Sequence, residues 1–328
     1  MGIFANPLTD LLEYEDFSRD FLKGTDPVGM TGCIDSEKVH FMSTFLGEKK
    51  VQLVVTYNEQ RAREIEEDYK LFCSQVYVIP PRDLIFFSAD LQGNAIIAER
   101  MKAFAALYQN EAKVIITTID ALMSAAVPFE QLMSHVIKLK EGDELDLEKL
   151  KHDLTVMGYE RVGRVEEPGQ FTVHGGIADV YPLTMEVPVR IELWGDEIDT
   201  IRCFEPQSQR SMDQIESVSV FPAAEVIADD TARRRAVGMI QNELESQLAV
   251  FKKVKEPDKA KRLREETNRI LEALGEEVVL EAPDSYISYF YPRTVRLSEY
   301  FDEKNTLVFL DEPMRLKERG DGVQAEFE

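Results

Sequence analysis

The sequence predicts an α/β protein in three parts: a lobe with a parallel sheet, an inserted α+β domain of antiparallel strands, and a helical C-terminal segment that completes the lobe. Three observations carry the prediction. Residues 27–125 alternate helix-like and strand-like patterns, residues 160–222 are dense in short strands punctuated by Pro and Gly, and residues 229–275 are helical and highly charged. At 328 residues the chain exceeds one average domain. The boundaries fall at 1–126, 127–223 and 224–328.

In the first part, SEKVHFMSTFL (36–46) begins like a helix and precedes the apolar run VQLVVTY (51–57). NEQRAREIEEDYKLF (58–72) follows, with Ala62, Ile65, Tyr69 and Phe72 at helical spacing and Asn58 as the N-cap. QVYVIPP (75–81) is a second strand, AIIAERMKAFAALYQ a long helix and KVIITTI (113–119) a third strand. Strands separated by helices make a parallel sheet, because a parallel neighbour is reached only through a crossover. Far along the chain, TLVFLDEP (306–313) adds a short buried strand.

In the second part, HVIKLKEGDELDLEKLKHDLTVMGY offers one strand and one helix. Short strands then follow at RVGRVE, FTVHG, IADVYP, VRIELWG, EIDTIRCF and SVSVFP, with turns at Pro168-Gly169, Gly175-Gly176 and Gly195-Asp196. Such turns between strands are hairpin signals. The third part is helical up to Gly275, a natural C-cap. The tail RLKERGDGVQAEFE closes no pattern, so the chain is expected to continue into a larger protein.

With 44% hydrophobic and 30% charged residues the chain has the composition of a soluble globular protein. No stretch approaches the roughly 20 apolar residues of a membrane span, and the N-terminus lacks the pattern of a secretory signal. A cytoplasmic monomer away from membranes is expected. Cys33, Cys73 and Cys203 have no CxxC spacing, and His40, His135, His152 and His174 form no HxxxH pair, so neither a disulfide framework nor a metal site is expected. The net charge of −23, from 61 acidic and 38 basic residues, opposes a DNA grip by the whole surface. Any such surface must be local.

PVGMTGCIDSEK (27–38) opens like a phosphate loop ahead of a helix. A working GxxxxGK[ST] loop needs exposed amides, a Lys for the phosphates and a hydroxyl for magnesium. Gly29 fits the first position and Ser36 the last, but Ile34 replaces the second Gly and Asp35 the Lys. A carboxylate there repels a triphosphate, so a structural turn without nucleotide, and no cofactor, is expected. Asp311 and Glu312 end an apolar strand as the magnesium-positioning acids of ATPases do, a role that needs an intact phosphate loop opposite them.

Within residues 158–225, Val189, Ile191 and Leu193 alternate with Arg190, Glu192 and Trp194. Period two sends the aliphatic set inward and Arg190, Glu192 and the sole Trp of the chain outward, where truncating Arg190 or Trp194 is expected to cost little stability. Trp194 is then either an interface anchor or folded back over the hairpin edge.

The strings GQFTVHGGIADVYP, PVRIELWGDEIDTIRCF, QSQRS and VFPA closely resemble the transcription-repair coupling factor (Mfd) family, and more distantly the excinuclease subunit UvrB. The remaining chain fits in the right order, so the resemblance covers essentially all 328 residues. It corresponds to the family's N-terminal UvrB-like module, which implies a degenerate helicase-like, P-loop-type lobe around a docking domain. It also implies that Gly29, Ile34, Asp35, Ser36, Asp311 and Glu312 are remnants of nucleotide motifs, and that no catalytic residue is present. UvrB-like proteins carry a tyrosine-rich DNA-clamping hairpin where this chain has only a short connection after IPPRDLIFFSADLQGN.

The resemblance further implies UvrA recruitment through a hairpin face on which Arg190, Glu192 and Trp194 fall at family contact positions. His174 departs from the Arg that several relatives have, and neutral His makes no bidentate carboxylate pair. RNA polymerase and DNA would be engaged by family domains outside this chain, and a C-terminal domain of the full-length protein would cover the docking face at rest. Two rival classes are a cryptic ATPase and a UvrB-like damaged-DNA-binding subunit; weak duplex binding without lesion preference is expected instead.

Overall fold

The computed structural model describes residues 8, 12–24, 26–82, 92–275 and 286–327. The chain packs as two units, one of residues 1–82, 102–124 and 296–328, the other of residues 83–101 and 125–295. Three parts were expected. Residues 224–295 instead group with the antiparallel domain, and only the segment from 296 onward returns to the parallel-sheet unit. Residues 83–91, within IPPRDLIFFSADLQGN, lie outside the described residues, and the short connection after that string is helical, part of Gln92–Tyr108.

The first unit begins with α1 (Leu12–Lys23) and α2 (Asp35–Ser43). Next come β1 (Val51–Thr56), α3 (Glu59–Tyr69) and β2 (Val76–Ile79). After α4 (Gln92–Tyr108) follow β3 (Val114–Thr118) and α5 (Ile119–Met123). Thr306–Leu310 forms β14 and Pro313–Phe327 forms α11. The sheet order is β14-β1-β3-β2, parallel throughout.

Every residue of the central strands β1 and β3 is buried, as expected where helices cover both faces. α3 starts where Asn58 accepts a hydrogen bond from the Arg61 amide at 2.8 Å, and it buries Ala62, Ile65 and Tyr69 against Val54, Val76 and Ile116. β14 differs from the buried strand the sequence suggests. It is an edge strand, with Leu307 buried but Val308 and Leu310 exposed, and Phe309 packs on Phe21 and Phe45.

In the second unit β5 (Ile137–Lys140) pairs antiparallel with β12 (Ser217–Val220), and α7 (Leu147–Val156) packs beside them after the short α6 (Phe129–Met133). A six-stranded sheet follows, ordered β11-β10-β9-β8-β7-β6. Its members are β6 (Glu160–Arg161), β7 (Gln170–His174), β8 (Ile177–Val180), β9 (Val189–Trp194), β10 (Glu197–Phe204) and β11 (Ser211–Gln214). Gly175 (φ +60°) and Gly195 (φ +68°) each head a two-residue turn, a backbone region that glycine enters without steric penalty. Of RVGRVE (161–166) only Arg161 lies in a strand, the two-residue β6; its Val165 packs on Tyr181 and Phe204 in a second, smaller cluster. β11 carries no apolar alternation and is exposed throughout, so periodicity does not disclose it. β4 (Ala125–Ala126) and β13 (Val295–Arg296) form a short ladder.

The charged segment folds as two long helices, α8 (Asp230–Lys253) and α9 (Pro257–Gly275), followed by α10 (Ile287–Phe290). Tyr291 secures their base: its hydroxyl donates to the Ile227 carbonyl at 3.0 Å and accepts from the Ile227 amide at 2.9 Å. Arg100, fully buried in α4, meets Glu225 through two hydrogen bonds of 2.5 and 3.1 Å. Breaking a buried pair from one side leaves a charge without its counter-ion. Glu225→Ala is therefore expected to destabilise the second unit by about 3–5 kcal/mol, measurable as a lower urea midpoint.

Candidate functional site

Two sites anticipated from the sequence can be built residue by residue. The first lies on the sheet face opposite the main core of the second unit. Alternation along β9 holds, with Val189 and Ile191 buried, Arg190, Glu192 and Leu193 half-buried and Trp194 exposed. Cross-strand register places Thr172, Asp179, Arg190 and Arg202 in one row, and His174, Ile177, Glu192 and Thr200 in the next. Trp194 faces Glu197 across the hairpin end.

The two rows differ in environment. Arg190 does not project as a free cation: its Nε and Nη2 donate to the two carboxylate oxygens of Asp179 at 2.8 and 2.7 Å, and its guanidinium lies 4.8 Å from the Phe204 ring centre. Hydrogen bonding to Asp179, opposed by partial burial, raises the Arg190 pKa further. Gln209 lies beside this pair and donates to the Val165 and Pro206 carbonyls, so the loops around 165 and 207 close over the row. Asp179 was not singled out from the sequence; its place opposite Arg190 is set by the register of β8 on β9.

The second row is open. Trp194 is 84% exposed, so it is not folded back over the hairpin edge. Ile177 is also exposed. His174 is exposed and stands 2.9 Å from the Thr172 hydroxyl, while Glu192 accepts from the Thr200 hydroxyl at 3.3 Å. An exposed indole beside an exposed isoleucine, with a carboxylate and an imidazole at the margin, is a surface of the kind that anchors a protein partner.

The other site is the end of the parallel sheet where α2 meets β14. Gly32, not Gly29, takes the positive φ of +91° in the loop before α2, and Ile34 is the N-cap with no side-chain bond of its own. Glu37 returns to accept from the Ile34 amide at 3.2 Å. Asp311 is buried, and its oxygens are occupied by Lys38 Nζ at 3.0 Å, the Thr56 hydroxyl at 3.0 Å and Arg61 Nε at 3.2 Å. Lys38 also donates to Glu312 at 2.5 Å, and Arg61 approaches Asp35 at 3.6 Å.

Burial disfavours the Lys38 ammonium, but its hydrogen bonds to Glu312 and Asp311 outweigh that and hold its pKa above the ordinary lysine value. Lys38, Thr56 and Arg61 were not singled out from the sequence. Lys38 lies one helical turn beyond Asp35, a register that only the folded helix relates to β14. The residues present do not fit a magnesium nucleotide. The acids that would orient the ion already have cationic partners, the lysine position carries Asp35, and Ser36 has no Lys beside it in the loop.

Residues 137–225 match the family model described as the UvrB interaction domain. The chain is 30% identical, over 98% of its length, to the transcription-repair-coupling factor of Bacillus subtilis (strain 168), and spans 27% of it. It is 29% identical over its whole length to that of Staphylococcus epidermidis RP62A and 28% identical over 99% to that of Staphylococcus aureus Mu50, spanning 28% of each. The chain belongs to the transcription-repair coupling factor family. It spans about a quarter of the length of these curated relatives. The match to the UvrB interaction domain encloses both rows of the sheet face, whereas the Lys38–Asp311 joint lies outside it. No helix among the described residues is long and apolar enough to cross a membrane.

Two outcomes follow for this coupling-factor chain. Arg190→Ala, against the low cost suggested by alternation alone, removes the partner of a buried carboxylate and is expected to destabilise the fold by about 2–4 kcal/mol in chemical denaturation, while Trp194→Ala leaves the midpoint almost unchanged. Lys38→Met is expected to lose about 1–3 kcal/mol at neutral pH. Because the folded pKa of Lys38 is raised, its contribution is full below the unfolded lysine value of about 10 and is lost as pH rises through the higher folded value; parent and variant should converge only in alkali.

Proposed function

We propose that this chain is a docking module that recruits UvrA of nucleotide excision repair to a stalled RNA polymerase, and that it has no catalytic activity of its own. The observation that carries the proposal is the exposed Trp194 at the end of a hairpin lying within the UvrB interaction domain match. Trp194 supplies the apolar anchor, with Glu192 and His174 beside it. Arg190 contributes through its pair with Asp179, which fixes the strand that presents the tryptophan. The parallel-sheet unit is a helicase-like lobe whose nucleotide site has been replaced by the Lys38–Asp311 joint. RNA polymerase and DNA are engaged by other parts of the full-length protein, and a C-terminal domain of that protein covers the docking face at rest.

Titration calorimetry of variants against UvrA tests the proposal. Trp194→Ala should weaken binding by roughly thirtyfold, equivalent to about 2 kcal/mol, with an unaltered melt. Arg190→Lys should lose affinity beyond its loss of stability, because an ammonium cannot reproduce the bidentate geometry. His174→Arg should strengthen binding if UvrA presents a carboxylate there. A Trp194→Ala protein that binds UvrA like the parent would remove the basis of the assignment. In the same instrument, millimolar ATP with magnesium should give no saturable heat, and Asp35→Lys should not restore it, since Ile34 still occupies the second glycine position. Saturable heat from the parent chain would instead favour an ATPase.

A further inference from the structure

Net charge sets the average surface of this chain against polyanions, but charge is not evenly spread. Between residues 249 and 264, seven basic residues stand against two acidic ones in a chain of net charge −23. α8 ends at Lys253 and α9 begins at Pro257, so the run lies around the turn of a single helical hairpin within the second unit. Lys259 and Lys261 approach Glu256 and Glu265, at 2.8 and 3.9 Å. Lys252, Lys253, Lys255, Arg262 and Arg264 have no acidic partner among the described residues.

Helix stability accounts for only part of this pattern. Lys252 and Lys253 complement the dipole in the last turn of α8. Lys259, Lys261 and Arg262 sit in the first turns of α9, where the same dipole disfavours cations. Lys255, at the turn itself, has φ +56°, a left-handed conformation that glycine adopts more easily. Charge is thus concentrated at the hairpin turn against local preference. The two helices also enclose a groove of about 790 Å³, lined by Leu248 and Phe251 together with Lys252, Lys255, Lys261 and Arg264; its two carboxylates, Glu256 and Glu265, are engaged by Lys259 and Lys261.

We propose that this groove binds single-stranded nucleic acid, with the phosphodiester backbone along the cationic side chains and a base against Phe251. A cationic track combined with an aromatic platform is what unpaired strands need. A duplex keeps its bases stacked inside and offers nothing to the apolar lining, and its length would bring more phosphates against the acidic remainder of the surface. The site is separate from the proposed UvrA-docking face and does not rest on it.

The test is fluorescence anisotropy of a labelled oligothymidylate of about 12 nucleotides with the intact chain. Engagement of about four phosphates predicts a roughly fiftyfold loss of affinity between about 50 and 200 mM salt. Combined Lys252→Glu, Lys255→Glu, Lys261→Glu and Arg264→Glu should abolish binding, while Lys113→Glu with Lys317→Glu, exposed in the other unit, should leave it intact. Phe251→Leu keeps an apolar side chain but removes the stacking surface, and should weaken binding about tenfold without changing the salt slope. Lys255→Gly separates fold from function, since it should raise the melting temperature while weakening binding severalfold. Equal or tighter binding of a duplex of the same length, displacement by polyglutamate as effective as by DNA, or no binding at the lower salt would overturn the proposal.

Discussion

Asp311 ends β14 in a nearly dry position, where an ionised carboxylate is tolerable only with cations and hydrogen-bond donors around it. Lys38, Arg61 and Thr56 provide them from α2, α3 and β1. The separation is 273 residues to Lys38 and 250 to Arg61, so this joint ties the two chain segments that bracket the whole second unit. β14 has a ladder on one side only, with β1. Its edge position leaves the ionic joint as the specific contact that closes the sheet at the strand ends. Both oxygens of Asp311 are thereby committed to the fold.

A comparable logic governs the second unit, where guanidinium and carboxylate meet twice in bidentate or near-bidentate pairs. Arg100 with Glu225 is buried completely, and Arg190 with Asp179 lies beneath two loops. In each case a planar fork fixes direction as well as distance. The second pair ties β8 to β9, the strand that ends at the exposed Trp194. Anchoring chemistry and supporting chemistry thus occupy neighbouring rows of one sheet face.

Charge is distributed as unevenly as burial. A net charge of −23 describes the average surface, while the α8–α9 turn concentrates unpaired cations beside an apolar groove. Local sign, rather than the sum, decides which polyions can approach a given element.

Much of this was legible in the chain itself. Apolar runs at 51–57, 75–81 and 113–119 separated by helical spacing determined the parallel sheet, Asn58 marked a helix start, and Gly-headed turns marked the hairpins, because backbone period and turn chemistry are local properties. The family strings between 158 and 225 carried membership. Periodicity also settled which side of β9 faces the core. It could not distinguish the free Trp194 from the committed Arg190, since that depends on Asp179, Phe204 and two loops brought together only by the fold. Nor could it show Lys38 on Asp311, the edge position of β14, the featureless strand β11, or residues 224–295 joining the antiparallel unit. Each of those depends on contacts between residues distant in sequence, and such contacts leave no local period to read.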